Sequence, residues 1–170
     1  MIAILGAGPH GHELADLYPC SVLYDDNRLG YKVCAAGAET YPYLIGAAWP
    51  KVRRQIFDRV TGTAYQNGTV VFPGATVSKS ARLGEHVHVL YGAVVSHGCQ
   101  VGDFTTIGSN AVLCGEVTVE AGAFIGAGAV IRHGGITIAR GATVGMGAVV
   151  VDDVADNTKV VGNPAKVLVT

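Results

Sequence analysis

The sequence carries no surplus of either charge: 12 Lys and Arg face 13 Asp and Glu, a formal net charge of -1. Without a broad basic face it has little to offer a nucleic acid backbone, and no nucleic acid partner is expected. Long apolar runs are missing as well. No stretch reaches the roughly 18 uninterrupted apolar residues of a membrane-spanning helix, and a Gly-His loop follows the first apolar residues too soon for a signal peptide. A cytoplasmic protein with no membrane partner is expected. Cysteine is scarce, and Cys20, Cys34, Cys99 and Cys114 show no C-x-x-C spacing. That argues against a zinc or redox motif and for reduced, mostly buried thiols.

Glycine is what the chain has in quantity, and its 24 residues gather in a Val-Ile-Ala background from about Val70 onward. An aliphatic residue recurs every six positions: Val71, Val77, Leu83, Val89, Val95, Val101, Ile107, Leu113, Val119, Ile125 and Ile131, then, after one extra residue, Ile138, Val144 and Val150. Four positions after each stands a compact residue such as Ala75, Ala93, Cys99, Thr105, Ala111 or Ala148. Six residues suit a short strand and a turn, with positions i and i+4 facing inward and i+1 to i+3 making a corner. Three such units close a triangular coil, and coils stack into a solenoid. The break in phase at Arg132-His133-Gly134-Gly135 predicts an outward bulge. A sandwich with Gly-rich turns would not hold one phase over ten hexads.

The first 65 residues have another texture. Ile2-Ala3-Ile4-Leu5, Ser21-Val22-Leu23-Tyr24 and Tyr41–Gly46 read as strands, and Leu14, Leu17 and Tyr18 have helical spacing. Trp49-Pro50 starts another helix, with Pro50 in its first turn and Val52, Ile56 and Val60 as its apolar stripe. Lys51, Arg53, Arg54 and Arg59 are read as its solvated face. The expected architecture is a small Rossmann-like βαβ module over residues 1–65, followed by a parallel β-helix of hexapeptide repeats with a C-terminal loop over residues 66–170.

Gly6-Ala7-Gly8-Pro9-His10-Gly11 stands between a strand and a helix, where backbone N–H groups can approach a diphosphate. Asp25 and Asp26 end the next strand, where a carboxylate can take a ribose or sugar hydroxyl. A full nicotinamide domain needs two such halves, and only one fits before the repeats, so a smaller diphosphate ligand is expected. In the repeats, His97 falls at a corner and should point outward, a side chain suited to taking a proton near neutral pH. Gly115, 18 residues on, falls on the same edge, where its N–H can face an oxyanion. Cys99, next to His97, is turned inward by the hexad phase and is read as core. Val161-Gly162-Asn163-Pro164-Ala165-Lys166 leaves the repeat as a Gly-Pro loop ending in a cation.

Taken together, the Gly loop, Asp25-Asp26, the hexads, Val95-Ser96-His97-Gly98-Cys99 and the Asn163-Pro164 loop resemble the left-handed β-helix sugar acetyltransferases. The nearest branch acts on nucleotide-linked 4-amino sugars, with sialic acid O-acetyltransferase-like proteins as relatives. The resemblance implies left-handed coiling, a homotrimer and acetyl-CoA in a groove between neighbouring solenoids, with no metal. It implies His97 as general base and Gly115 as the N–H donor to the thioester oxygen. Gly115, Ala148, Asn163, Pro164 and Lys166 would line the acetyl-CoA path. Gly6, Gly8, Pro9, His10, Gly11, Asp25, Asp26 and Gly46 would bind a UDP- or dTDP-linked 4-amino-4,6-dideoxy sugar for bacterial surface glycan synthesis. The chain departs from relatives at Gly98, where they carry an acidic or polar residue, at Thr106, where they often place a second histidine, and at Ala47-Ala48, where polar side chains are common.

Three other readings are weighed against that one. One is a sugar O-acetyltransferase of the sialic acid type. Another is a zinc hydratase of γ-carbonic anhydrase type using His97 and His133, 36 residues apart, although zinc needs a third ligand. The last is a non-catalytic nucleotide-sugar binder.

Overall fold

A computed structural model describes residues 2–5, 13, 21–24, 43–59 and 68–169. The chain divides into two compact units, Met1–Gly68 and Thr69–Thr170. In the first, β1 (Ile2–Leu5), β2 (Ser21–Tyr24) and β3 (Tyr43–Ile45) form a parallel sheet in the order β2-β1-β3. Leu5 is in register with Tyr24 on one side and Ile45 on the other, so all three strands end at one edge. The chain leaves β1 toward opposite sides for β2 and β3, and open α/β sheets take ligands at the carboxyl ends of strands where the order reverses in this way. Val60 and the Leu14, Leu17 and Tyr18 helix lie outside the described residues.

Helix α1 spans Pro50–Arg59. Proline is at home in a first turn, where its missing N–H is not needed. The buried line along α1 is Pro50, Arg53 and Ile56, with Val52 and Phe57 half-buried. This corrects the solvated reading of Arg53, which is fully buried, while Lys51 and Arg54 are exposed as expected. Arg54 pairs with Asp58 at 2.8 Å across one helical turn.

The second unit is the solenoid. Its first face stacks the strands Val70–Val71, His88–Val89, Thr106–Ile107, Phe124–Ile125, Thr143–Val144 and Lys159–Val161, and the antiparallel strand Lys166–Val167 closes it. The second face stacks Thr76–Val77, Val94–Val95, Val112–Leu113, Val130–Ile131 and Val149–Val150. The third stacks Arg82–Leu83, Gln100–Val101, Thr118–Val119 and Thr137–Ile138. Equivalent residues lie one coil of 18 apart, as in His88↔Thr106, and one residue more across the phase break, as in Phe124↔Thr143.

The interior is the expected ladder. Val89, Val95, Ile107, Leu113, Ile125, Ile131 and Ile138 are fully buried with Ala93, Cys99, Ala111, Ala123, Ala129 and Ala142. Each large side chain in such a stack removes about 1.5–3 kcal/mol worth of apolar surface from water. At the first coil, with no coil beneath it among the described residues, Val71 remains 46% exposed and Val77 and Leu83 half-exposed. The extra residue is accommodated where the phase break put it: Arg132 to Gly135 are exposed, and Ile136 turns back into the core.

Candidate active site

The hexad sets the chemistry of each corner. At i+3 the backbone enters the left-handed region, as at Gly98 (φ 67°) and Glu116 (φ 66°). Glycine takes that conformation without strain, and a residue with a Cβ does so at some cost. The i+2 residue just before it is thrown outward. On the corner between the second and third faces, Lys79, His97, Gly115 and His133 therefore stack in one column. Backbone bonds hold the column together: Gly98 N–H donates to Ser80 Oγ at 3.2 Å, Glu116 N–H to His97 O at 2.9 Å, and Gly134 N–H to Gly115 O at 3.3 Å.

His97 is exposed, and its ring lies against Gly115, where any added Cβ would collide with ring atoms Cε1 and Nε2. Gly115 is thus required by the imidazole above it. The N–H of Gly115 is also unusual. At other corners the equivalent N–H is capped by a carboxylate of an adjacent coil: Glu85 N–H by Asp103 Oδ1 at 2.9 Å, and Arg140 N–H by Glu120 Oε2 at 3.0 Å. Gly115 N–H has no such cap among the described residues. One edge of the solenoid therefore offers an accessible imidazole beside an uncapped peptide donor.

The neighbouring cysteine is core, as the phase requires. Cys99 is fully buried, its Sγ donates to Cys114 O at 3.1 Å, and burial pushes its thiol above the ordinary range. His86 and His88 are buried too, with His86 stacked on Phe104 at 4.5 Å. Thr106 is fully buried on the first face. Among the described residues no three His, Cys, Asp or Glu side chains gather to hold a metal, so His97 and His133 have no third ligand beside them there.

At the far end, the loop between Lys159–Val161 and Lys166–Val167 exposes Asn163, Pro164 and Lys166. It is tied to the second face by Val149 N–H to Gly162 O at 2.9 Å and Ala165 N–H to Val149 O at 2.8 Å. That brings the loop beside Ala148, but not as a side-chain site. The Ala148 methyl is in the core and its carbonyl accepts from Val130 N–H at 2.8 Å, so only main chain is left to meet a ligand.

In the first unit, Gly46 is buried just after β3. Gly6, Gly8, Pro9, His10, Gly11, Asp25 and Asp26 lie outside the described residues. The strands that lead into them, β1 and β2, end at the same edge as β3. Two features escaped the sequence reading. One is an open groove of about 440 Å³ on the third face, flanked by Arg82, Gln100, Thr118, Glu120 and Arg140. The outward strand positions Arg82, Gln100 and Thr118 are legible in the hexads, but nothing marks them as a group. The other is Arg53, whose Nη1 donates to Ala47 O at 2.6 Å and Ala48 O at 3.2 Å.

Comparison with known proteins agrees with this architecture. Residues 98–133 match the family described as bacterial transferase hexapeptide (six repeats). A GDP-perosamine N-acetyltransferase from Escherichia coli O157:H7 is 38% identical over 72 residues, which are 42% of this chain and 33% of that protein. The match therefore spans about a third of the length of that curated relative. The acetyltransferase domain of PglB from Neisseria gonorrhoeae FA1090, in complex with acetyl coenzyme A, is 29% identical with a TM-score of 0.81 and covers 98% of both chains. PerB from Caulobacter crescentus, in complex with CoA and GDP-perosamine, is 28% identical with a TM-score of 0.79, covering 98% of this chain and 96% of PerB. The chain is a hexapeptide-repeat β-solenoid of the left-handed β-helix kind, and its homologues are sugar acetyltransferases of the GDP-perosamine N-acetyltransferase and PglB type.

Proposed function

We propose that the chain is an acetyl-CoA-dependent N-acetyltransferase acting on the amino group of a nucleotide-linked 4-amino-4,6-dideoxy sugar. The observation that carries this reading is the His97 ring over Gly115, beside an N–H left out of the coil's bonding. The near full-length likeness to proteins that bind acetyl-CoA, CoA and a nucleotide sugar supports it.

In this reading His97 takes a proton from the sugar amine as the nitrogen attacks the thioester carbonyl. Gly115 N–H donates to the oxygen as it becomes negative. The C–N bond forms, the C–S bond breaks, and the proton held on His97 passes to the leaving thiolate. Neither a metal nor a covalent enzyme intermediate takes part. Gly115, the main chain at Ala148, and Asn163, Pro164 and Lys166 line the acetyl-CoA path. A Rossmann-like first module binds the nucleotide sugar at the edge where its three strands end, through Gly6, Gly8, Pro9, His10, Gly11, Asp25, Asp26 and Gly46. Fixing both substrates in this way removes much of the entropic barrier to their meeting.

A homotrimer belongs to the same proposal. Val94, Val112, Val130 and Val149 stand in register on the outer side of the second face, an apolar stripe left half-buried in a single chain. Packing copies through that stripe removes it from water. Sedimentation of the purified protein checks this, and a Val112→Glu variant is expected to dissociate.

The test of function is release of free CoA thiol when acetyl-CoA is supplied with GDP-, UDP- or dTDP-linked amino sugars. The sequence reading expects UDP or dTDP, and the GDP sugar bound by PerB adds the third nucleotide. Thiol release with one acceptor and a product stable to hydroxylamine is expected. A hydroxylamine-labile product would mean O-acetylation, and no release with any acceptor would leave the binder reading.

A further inference from the structure

Arg53 is the fully buried charge of the first unit's described residues, and the way it is held gives it a specific task. Side chains of a helix lean toward its N-terminus, so a residue in the first turn covers the segment that leads into the helix. Arg53 does this to the turn between β3 and α1. Its Nη1 donates to Ala47 O at 2.6 Å and to Ala48 O at 3.2 Å, while its backbone N–H donates to Trp49 O at 3.0 Å. One residue thus fixes three consecutive carbonyls.

Helix stability alone does not explain this choice. Burying a guanidinium is costly, and an apolar side chain in such a place is often neutral or stabilising. Burial draws Arg53 down to about 9, which leaves it charged at neutral pH. What the arginine supplies and an apolar residue does not is a fixed orientation for each peptide of the turn.

The turn's position makes that orientation consequential. Ile45, the last residue of β3, is paired with Leu5 of β1, so the turn begins at the carboxyl edge where the strand order reverses. Gly46 is buried there, and Ala47 and Ala48 bring only methyl groups. Any polar recognition by this turn must therefore run through its main chain.

We propose that Arg53 is a positioning residue for the acceptor's nucleotide: by tying down the carbonyls of Ala47, Ala48 and Trp49 it sets the main-chain edge against which the nucleotide is read. This rests on the reading of the first unit as a nucleotide-sugar module. The test uses the full chain, with Arg53→Met, which keeps an apolar stem, and Arg53→Lys, which keeps the charge but not the fork.

Calorimetric titration with GDP, UDP and dTDP is run beside steady-state kinetics and thermal melting. The expected result is at least a tenfold loss of nucleotide affinity and a matching rise in KM for the nucleotide sugar in Arg53→Met. Arg53→Lys is expected to fall in between, with KM for acetyl-CoA unchanged in both. Equal nucleotide affinity in wild type and variants overturns the proposal alone, and so does an equal rise in KM for both substrates. If the wild type binds none of the three nucleotides, the module reading fails and takes this one with it. Should Arg53→Met not fold, Arg53→Lys carries the comparison.

Discussion

In the solenoid, a residue's surroundings follow from its place in the hexad. Ile107, Ile125 and Ile131 occupy the same position in successive repeats and all are fully buried, while the i+2 residues His97 and His133 are exposed. In the first unit, α1 buries Arg53 between Pro50 and Ile56, a charge that helical spacing places in water. The difference lies in where each environment is made. A solenoid residue meets its own equivalent one coil on, so periodicity is also context. The surroundings of Arg53 are made by one turn, through bonds to Ala47 and Ala48 that no period announces.

This contrast predicts that function and stability separate cleanly in the solenoid. His97→Ala should lower kcat about a thousandfold, within the usual range for a general base. Its melting temperature should match wild type, because the ring is exposed and the ladder does not use it. A large drop in melting temperature would mean that the corner is structural. Ile125→Ala should do the reverse and cost about 3 kcal/mol in denaturant unfolding, since it opens a cavity in a stack that cannot collapse. A loss below about 1 kcal/mol would show that the coils relax around the gap.

The surface of α1 should matter far less than its buried arginine. Asp58→Ala removes the exposed pair with Arg54 and should cost no more than about 0.5 kcal/mol. The smallest change is expected at the thiols of the native solenoid. Cys99, buried and with its pKa raised, should resist alkylation that modifies the partly exposed Cys114, as peptide mass mapping will read. Equal labelling of the two would place the phase of the Cys99 repeat in error.

How much of the molecule was legible follows the same division. The ladder, the inward turn of Cys99 and the outward bulge at Arg132–Gly135 were readable because each depends only on spacing. The column of His97 over Gly115 was readable too, as two i+2 residues one coil apart. The direction of the imidazole, lying on Gly115, was not readable, because it depends on the side chain's torsions. Ala148 was taken for a ligand contact from resemblance, although its own phase turns its methyl inward. Arg53 was misassigned because a stripe through Val52 and Ile56 was chosen where the buried line runs through Pro50, Arg53 and Ile56.

The central claim is that His97 and Gly115 work as one device, with the glycine bare so that the ring can lie over it. Gly115→Ala keeps its N–H but drives a Cβ into the ring, and should cost about a hundredfold in kcat through displacement of the imidazole. The most direct measurement is kcat for the His97→Ala/Gly115→Ala double variant beside the two single variants. The account predicts that the double variant is no slower than His97→Ala, because with the ring gone the added methyl has nothing to displace. Losses that multiply would contradict it and separate the two residues.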